Sequence, residues 1–204
     1  MPGMAQAVAQ LLRHLHIDPQ YIAGHSAGAA IAIEMSLQSL IDPRSIISIN
    51  GALLPLPSAA NALFSPLAKL LAANPIVPRL FSWQAGRSGP VRQLLKSTGS
   101  SVDKASIDCY TQLIADPYHV KGALMMMANW DLATFESRLN LLKKPLHLIV
   151  CNADKTVPPR QSVQVHQRLS QSSTLLTIPD LGHLGHEENP PLFADALKAI
   201  AKRN

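Results

Sequence analysis

The sequence predicts an α/β fold: a mostly parallel sheet with flanking helices and a long helical insertion. Three observations carry this. Short β-rich runs alternate with helical segments at both ends of the chain, the rhythm of parallel strands joined by crossover helices. Between these ends, Ala52 to about Leu142 holds no convincing strand and is broken by Pro55, Pro57, Pro66, Pro75, Pro78, Pro90 and Pro117. Finally, Gly24-His25-Ser26-Ala27-Gly28 stands between a short apolar run and a small-residue helix, where such sheets carry their sites.

The elements follow in order. Met4, Val8, Leu11, Leu12 and Leu15 recur at helical spacing, so Met4 to His16 is read as an amphipathic helix that Asp18-Pro19 ends. Tyr21 to Ala23 is a short strand. A helix from Ala27 to about Leu40 uses Ile31, Met35 and Leu37, with Ala30 for close packing, and Asp42-Pro43 stops it. Ser45 to Asn50 is a β-rich run closed by Gly51. Helical candidates in the middle stretch are Ala59–Ala73, Val91–Thr98, Asp103–Ala115 and Val120–Trp130. Lys144-Pro145 announces a strand from Leu146 to Cys151. Arg160 to Leu169 is a helix, Ser173 to Ile178 a strand, and Pro191 to Lys202 the last helix. The expected organisation is a core over residues 1–51 and 143–204, with residues 52–142 inserted as a helical cap over a site.

The composition narrows the class. The chain of 204 residues is 47% hydrophobic, enough for a sizeable core. No apolar run approaches the roughly 18 residues of a membrane span. Met1 to Gln6 lacks the basic flank and apolar core of a signal peptide. Two cysteines, Cys109 and Cys151, do not make a disulfide framework, and a reducing cytoplasm is expected. The net charge of +5 is modest, with no basic stripe interleaved with aromatics, so nucleic acid is not an expected partner. From Pro43 to Val102 there is no Asp or Glu, while Arg44, Lys69, Arg79, Arg87, Arg92 and Lys96 all fall there. This is either a solvated basic face or a surface for an anionic ligand, a headgroup layer or an acidic partner.

Gly-x-Ser-x-Gly between a strand and a helix is the pattern of a nucleophile elbow. Such a turn strains the serine backbone and pushes its hydroxyl outward. Gly24 and Gly28 are expected to flank it because a Cβ at either would collide across the turn. The N–H of Ala27, at the positive end of the helix, is the expected oxyanion donor. A serine hydroxyl needs a base, and the base needs a carboxylate to hold its tautomer. The chain offers Ser26, then Asp154 after one strand, then His183 after the next. His183 follows Gly182 at a loop apex and is the expected base. His186 is the competitor, read as a packing or hydrogen-bonding partner near Glu187. The spacing His183-x-x-His186-Glu187 also admits a metal site, but no other ligand cluster supports one. No metal and no cofactor is expected. His25 either touches substrate or packs. Met126 and Trp130, in the run Leu124 to Trp130, either line a pocket or pack the insertion on the core.

These residues resemble the α/β-hydrolase superfamily. Gly51 to Pro57, Phe64 to Pro75, Val77 to Phe81, Thr98-Gly99-Ser100 and Met126 to Leu132 extend the likeness. They resemble the magnesium-chelatase accessory family of phototrophic bacteria (BchO) over nearly the whole chain. The resemblance implies a role in bacteriochlorophyll biosynthesis, near insertion of magnesium into protoporphyrin. It also implies first strands and a His-Gly-x-Gly loop, the source of a second oxyanion N–H, ahead of Pro2-Gly3-Met4. No His-Gly pair occurs in the sequence. The expectation is therefore an N-terminally truncated chain, with a half-built oxyanion hole and an open edge at the strand before the elbow.

Two functions follow as expectations. One is a serine hydrolase acting on an ester or related carbonyl of a small molecule, a tetrapyrrole or its ester being the candidate. The other is an accessory protein on a hydrolase scaffold that binds a porphyrin or contacts magnesium-chelatase subunits.

Overall fold

The computed structural model describes residues 1–55, 74, 76–85, 88–169 and 173–203. Four strands form one sheet: β1 (Tyr21–His25), β2 (Ser45–Ile49), β3 (Leu146–Cys151) and β4 (Ser173–Ile178). Their spatial order equals their chain order, and each neighbouring pair is parallel. Parallel neighbours need crossover connections, and helices supply them. β2 and β3 are buried along their whole length, so neither alternates between core and solvent, and Ser45, Ser48 and His147 are buried among their apolar residues.

Ten helices are described: α1 (Pro2–His14), α2 (Ala27–Leu37), α3 (Ile76–Ala85), α4 (Ser88–Ser97), α5 (Lys104–Ala115), α6 (Pro117–Ala128), α7 (Leu132–Arg138), α8 (Pro159–Arg168), α9 (Gly185–Glu188) and α10 (Pro190–Arg203). The described elements between β2 and β3 are all helical, from α3 through α7 and a short 3₁₀ turn at Leu139–Leu141. The helix expected over Ala59–Ala73 lies outside the described residues.

Several expectations shift. α1 forms, but its buried face is not the one that its largest side chains suggested. Ala5 and Ala9 are buried with Met35, and Leu12 joins them, while Met4, Val8, Leu11 and Leu15 are exposed. Small side chains let α1 approach α2 closely, and that contact outweighs the burial of longer ones. α2 ends at Leu37 rather than near Leu40. Ser39 turns left-handed at φ 55°, and the Leu40 N–H returns to the Met35 carbonyl at 2.9 Å, a terminating turn that closes the helix before Asp42-Pro43 is reached. α3 includes Pro78, which the sequence read as a break. It stands in the first turn, where a missing N–H costs no intrahelical bond. α7 and α9 were not expected, being too short to show a period. α7 is started by Asp131, whose side chain accepts from the Thr134 N–H at 3.0 Å.

The largest core cluster joins α2, β2, β3, α7 and α8 through Ile33, Ile46, Leu53, Phe135, Leu146, Leu148 and Val165. Within it lies a fully buried carboxylate, Glu34. Arg138 of α7 donates to both its oxygens, at 3.2 and 2.6 Å, and the Gln38 amide adds a third bond at 2.6 Å. A buried charge held this way is tolerable only while its partners remain. Arg138→Ala is expected to destabilise the protein by about 3 kcal/mol, because it leaves a buried charge without its cation. Urea unfolding would check this, and Arg138→Lys should recover only part of the loss.

Candidate active site

The all-parallel order turns the C-terminal ends of the four strands the same way, and the loops that follow them build the site. Ser26 follows β1 directly. Its backbone is at φ 53°, ψ −118°, a region that L-residues rarely enter, and it caps α2. The turn is tied to the next strand on both sides. The Ser26 N–H donates to the Ile49 carbonyl at 3.0 Å, and the Ser26 carbonyl accepts from Ala52 at 3.1 Å. Ala27 opens α2, so its N–H has no intrahelical acceptor.

The two glycines of the turn differ in role. A Cβ on Gly24 would lie 2.4 Å from the Gly28 carbonyl carbon and 2.5 Å from the Ala29 nitrogen. A Cβ on Gly28 would meet nothing within 4 Å among the described residues. The expected collision therefore holds at Gly24 and fails at Gly28. The close approach is one-sided: the strand residue presses on the backbone of the helix start, so only the strand residue must lack a side chain.

Asp154 sits in the loop after β3. Its Oδ1 accepts from the N–H groups of Thr156 at 2.7 Å and Val157 at 2.9 Å, which closes the turn at its own loop. Its Oδ2 accepts from His183 Nδ1 at 2.7 Å, and both residues are buried. One carboxylate thus caps a turn and meets the imidazole. With Nδ1 bonded to a carboxylate, the proton belongs on Nδ1 and His183 Nε2 is left as acceptor. Among the described residues no hydrogen bond joins Ser26 Oγ to His183.

Three imidazoles gather here. The ring of His25 lies 4.6 Å from that of His183 and 4.3 Å from that of His186. His25 Nε2–H donates to the His183 carbonyl at 2.8 Å. Burial, followed by the charges that His183 and His186 would carry, lowers the His25 pKa from its usual 6.5 to about 4. Burial also lowers His186. His186 lies between His25 and Phe193, tilted to the first ring and edge-on to the second, and its Nε2 is 3.9 Å from the Glu187 carboxylate. Of the two competing histidines, His183 is the one that meets Asp154. Among the described residues no three His, Cys, Asp or Glu side chains are grouped to hold a metal ion.

The sequence marked Thr98-Gly99-Ser100 only as part of the family resemblance, and it gave no sign of which residues brace this site. Asn50, at the end of β2, reaches the last residue of β3 and the loop after β4. The stretch between α4 and α5 is wedged beside them. The Thr98 carbonyl accepts from Lys155 at 3.0 Å and His183 at 3.3 Å, and Ser100 Oγ accepts from the Leu184 N–H at 2.8 Å. A Cβ on Gly99, at φ 87°, would fall 2.1 Å from the Ala153 carbonyl oxygen. Glu188 bridges the Gly182 and Ser101 N–H groups at 2.9 and 3.0 Å. A lone Asn at a strand end and a Thr-Gly-Ser run have no spacing that announces such contacts. Trp130 is half-buried and packs on the main core cluster, and Met126 is half-buried in α6. Arg44, Arg79, Arg92 and Lys96 are exposed, whereas Lys69 and Arg87 lie outside the described residues.

The Alpha/beta hydrolase family profile matches residues 2–196. The chain belongs to this family. It is 39% identical over 197 residues to the Magnesium-chelatase 30 kDa subunit of Rhodobacter capsulatus, a match covering 97% of this chain and 66% of that protein. The chain thus spans just under two thirds of that relative's length. It is 24% identical to the uncharacterized hydrolase YugF of Bacillus subtilis, over 98% of this chain and 71% of that one. Among solved structures, a putative lipase from Acinetobacter baumannii superposes with a TM-score of 0.73 at 17% identity, over 100% of this chain and 69% of that one. An esterase from Thermogutta terrifontis does so with a TM-score of 0.69 at 21% identity, over 99% and 72%. These structural likenesses establish the hydrolase fold. Among the described residues no helix is long and apolar enough to cross a membrane.

Two outcomes follow from the geometry. Gly24→Ala should cost about 4 kcal/mol or more through strain in a packed turn, while Gly28→Ala should be close to neutral; thermal melts of the two variants would separate them. The second concerns pH. Because the folded-state pKa of His25 lies below the unfolded value, the unfolded chain binds a proton first as pH falls. Stability should then drop between pH 6.5 and about 4 and level off below that window. His25→Gln, which can still donate to the His183 carbonyl, should lose less stability across that window in urea midpoints.

Proposed function

We propose that this chain carries the nucleophile, acid and base of a serine hydrolase acting on an ester or related carbonyl. The observation that supports this most strongly is the 2.7 Å bond between His183 Nδ1 and Asp154 Oδ2, at the strand ends that also carry Ser26 on its strained turn. On this reading Ser26 Oγ attacks the substrate carbonyl and gives its proton to His183 Nε2. The imidazolium that forms is stabilised by Asp154. The Ala27 N–H donates to the developing oxyanion at the start of α2. His183 then returns the proton to the leaving oxygen as the carbonyl–oxygen bond breaks. In the second half, His183 takes a proton from water, the hydroxide forms a bond to the acyl carbon, and the proton goes back to Ser26 as it departs.

The helices between β2 and β3 act as a cap on this reading, covering residues 52–142 over core segments 1–51 and 143–204. Met126, Trp130 and His25 are the proposed substrate contacts. The substrate proposed is a small molecule, a tetrapyrrole or one of its esters. Both cysteines are free thiols, which suits a reducing compartment, and the cytoplasm is the proposed location.

A second reading is favoured by the 39% identity to a magnesium-chelatase subunit over 97% of the chain. The protein would assist magnesium chelatase in bacteriochlorophyll biosynthesis by binding a porphyrin or a chelatase subunit, with the hydrolase scaffold inherited. The readings separate on one variant. A fluorophosphonate probe should label wild type at Ser26 and leave Ser26→Ala unlabelled, and Asp154→Asn should label about 10⁴-fold more slowly because the imidazole tautomer is lost. Absence of labelling in wild type, together with equal support of chelatase by wild type and Ser26→Ala, would favour the accessory role.

A further inference from the structure

We propose that Asn50 is a positioning residue for His183, fixing the backbone from which the imidazole hangs. The inference deepens the hydrolase reading, and only its rate measurement rests on that reading. Asn50 is 2% exposed and ends β2 at φ 46°, a conformation that Asn tolerates better than most residues. Its side chain makes three hydrogen bonds, one to the end of a neighbouring strand and two to a loop. Oδ1 accepts from the Cys151 N–H at 2.8 Å, at the end of β3. Nδ2 donates to the Gly182 carbonyl at 3.2 Å and the His183 carbonyl at 2.9 Å, in the loop after β4.

The orientation of the amide is determined by these partners. Turned over, its oxygen would face two carbonyl oxygens and its NH₂ would face an N–H, so every bond would become a repulsion. The contacts also fall where leverage on the imidazole is greatest. The two carbonyls bracket the His183 residue, one belonging to the preceding peptide and one to its own. Asp154 orients the ring, but the ring's origin is set by the backbone at Gly182 and His183. A single buried amide ties that backbone to the ends of the two central strands, the stiffest part of the sheet. His25 Nε2 shares the His183 carbonyl at 2.8 Å, so the carbonyl is gripped by two donors from the ends of β1 and β2.

Two variants isolate the effect. Asn50→Asp keeps the size and the acceptor for Cys151 and replaces the donor with an oxygen facing two carbonyls. Asn50→Gly keeps the left-handed backbone without strain and removes all three bonds. Both would be made in the full chain, labelled with ¹⁵N-histidine, and checked for folding by circular dichroism at 25 °C. The imidazole ¹H–¹⁵N correlation of His183, assigned by its loss in His183→Gln, should move in both variants. The correlation of His166, which bonds Ser173 at the start of β4, the strand end away from the site, should stay in place. Fluorophosphonate labelling should slow by roughly 10- to 100-fold, as expected when a catalytic group is displaced by a fraction of an ångström to an ångström, and probe affinity should change little. An unmoved His183 correlation with an unchanged labelling rate would overturn the proposal. So would loss of fold in both variants, which would make Asn50 part of the scaffold alone. A shifted His183 correlation in a protein whose wild type never labels would support Asn50 as a positioning residue and count against the hydrolase reading.

Discussion

The parallel register of four strands is the constraint on which the rest of the structure depends. His25 pairs with Ile49, Ile49 with Ile149, and Cys151 with Ile178, so the strands run out within a residue or two of one another. Because all point the same way, the loops after them converge. Parallel pairing imposes this, whereas an antiparallel sheet would scatter alternate loops to opposite ends. The serine turn, the acid loop and the histidine loop are far apart in the chain and adjacent only because the ladder is in this register. A one-residue slip at any strand would turn its side chains to the opposite face.

Backbone, more than side chain, occupies the space where those loops meet. Gly24 presses on Gly28, Gly182 on Gly99, and Gly99 on Ala153, each at a distance that leaves no room for a Cβ. Tight backbone approach brings N–H and carbonyl groups into reach of groups distant in sequence, and the polar side chains Asn50, Ser100 and Glu188 take up those that the strands leave unpaired. The connection around Thr98, between α4 and α5, is therefore joined to the acid and histidine loops by hydrogen bonds. The likeness to the Magnesium-chelatase 30 kDa subunit covers 97% of the chain and so includes this stretch.

Much was legible in the chain. A serine between two glycines after a β-run, an Asp just past Cys151 and a His after Gly182 identified the three loops, because turn chemistry and strand ends are local signals. The strands Leu146–Cys151 and Ser173–Ile178 were bounded correctly, since each is a β-rich run with clear stops. The buried face of α1 was not legible. Periodicity favoured the large residues Leu11 and Leu15, whereas the packing used Ala5 and Ala9, and only the proximity of α2 decides that small residues are worth more there. The asymmetry between Gly24 and Gly28 was hidden for the same reason: which glycine faces backbone depends on how the strand enters the helix.

By itself the sequence determined the kind of fold, the order of serine, acid and histidine, and the absence of an acidic residue from Pro43 to Val102. These are set by composition and by contacts a few residues apart. The tertiary structure alone decided that His183 rather than His186 meets Asp154, that Asn50 grips the histidine backbone, and that buried Glu34 meets the half-buried Arg138. Each of these pairs lies tens of residues apart along the chain. Their meeting depends on the register of the sheet and the packing of helices on it, and no local propensity encodes either.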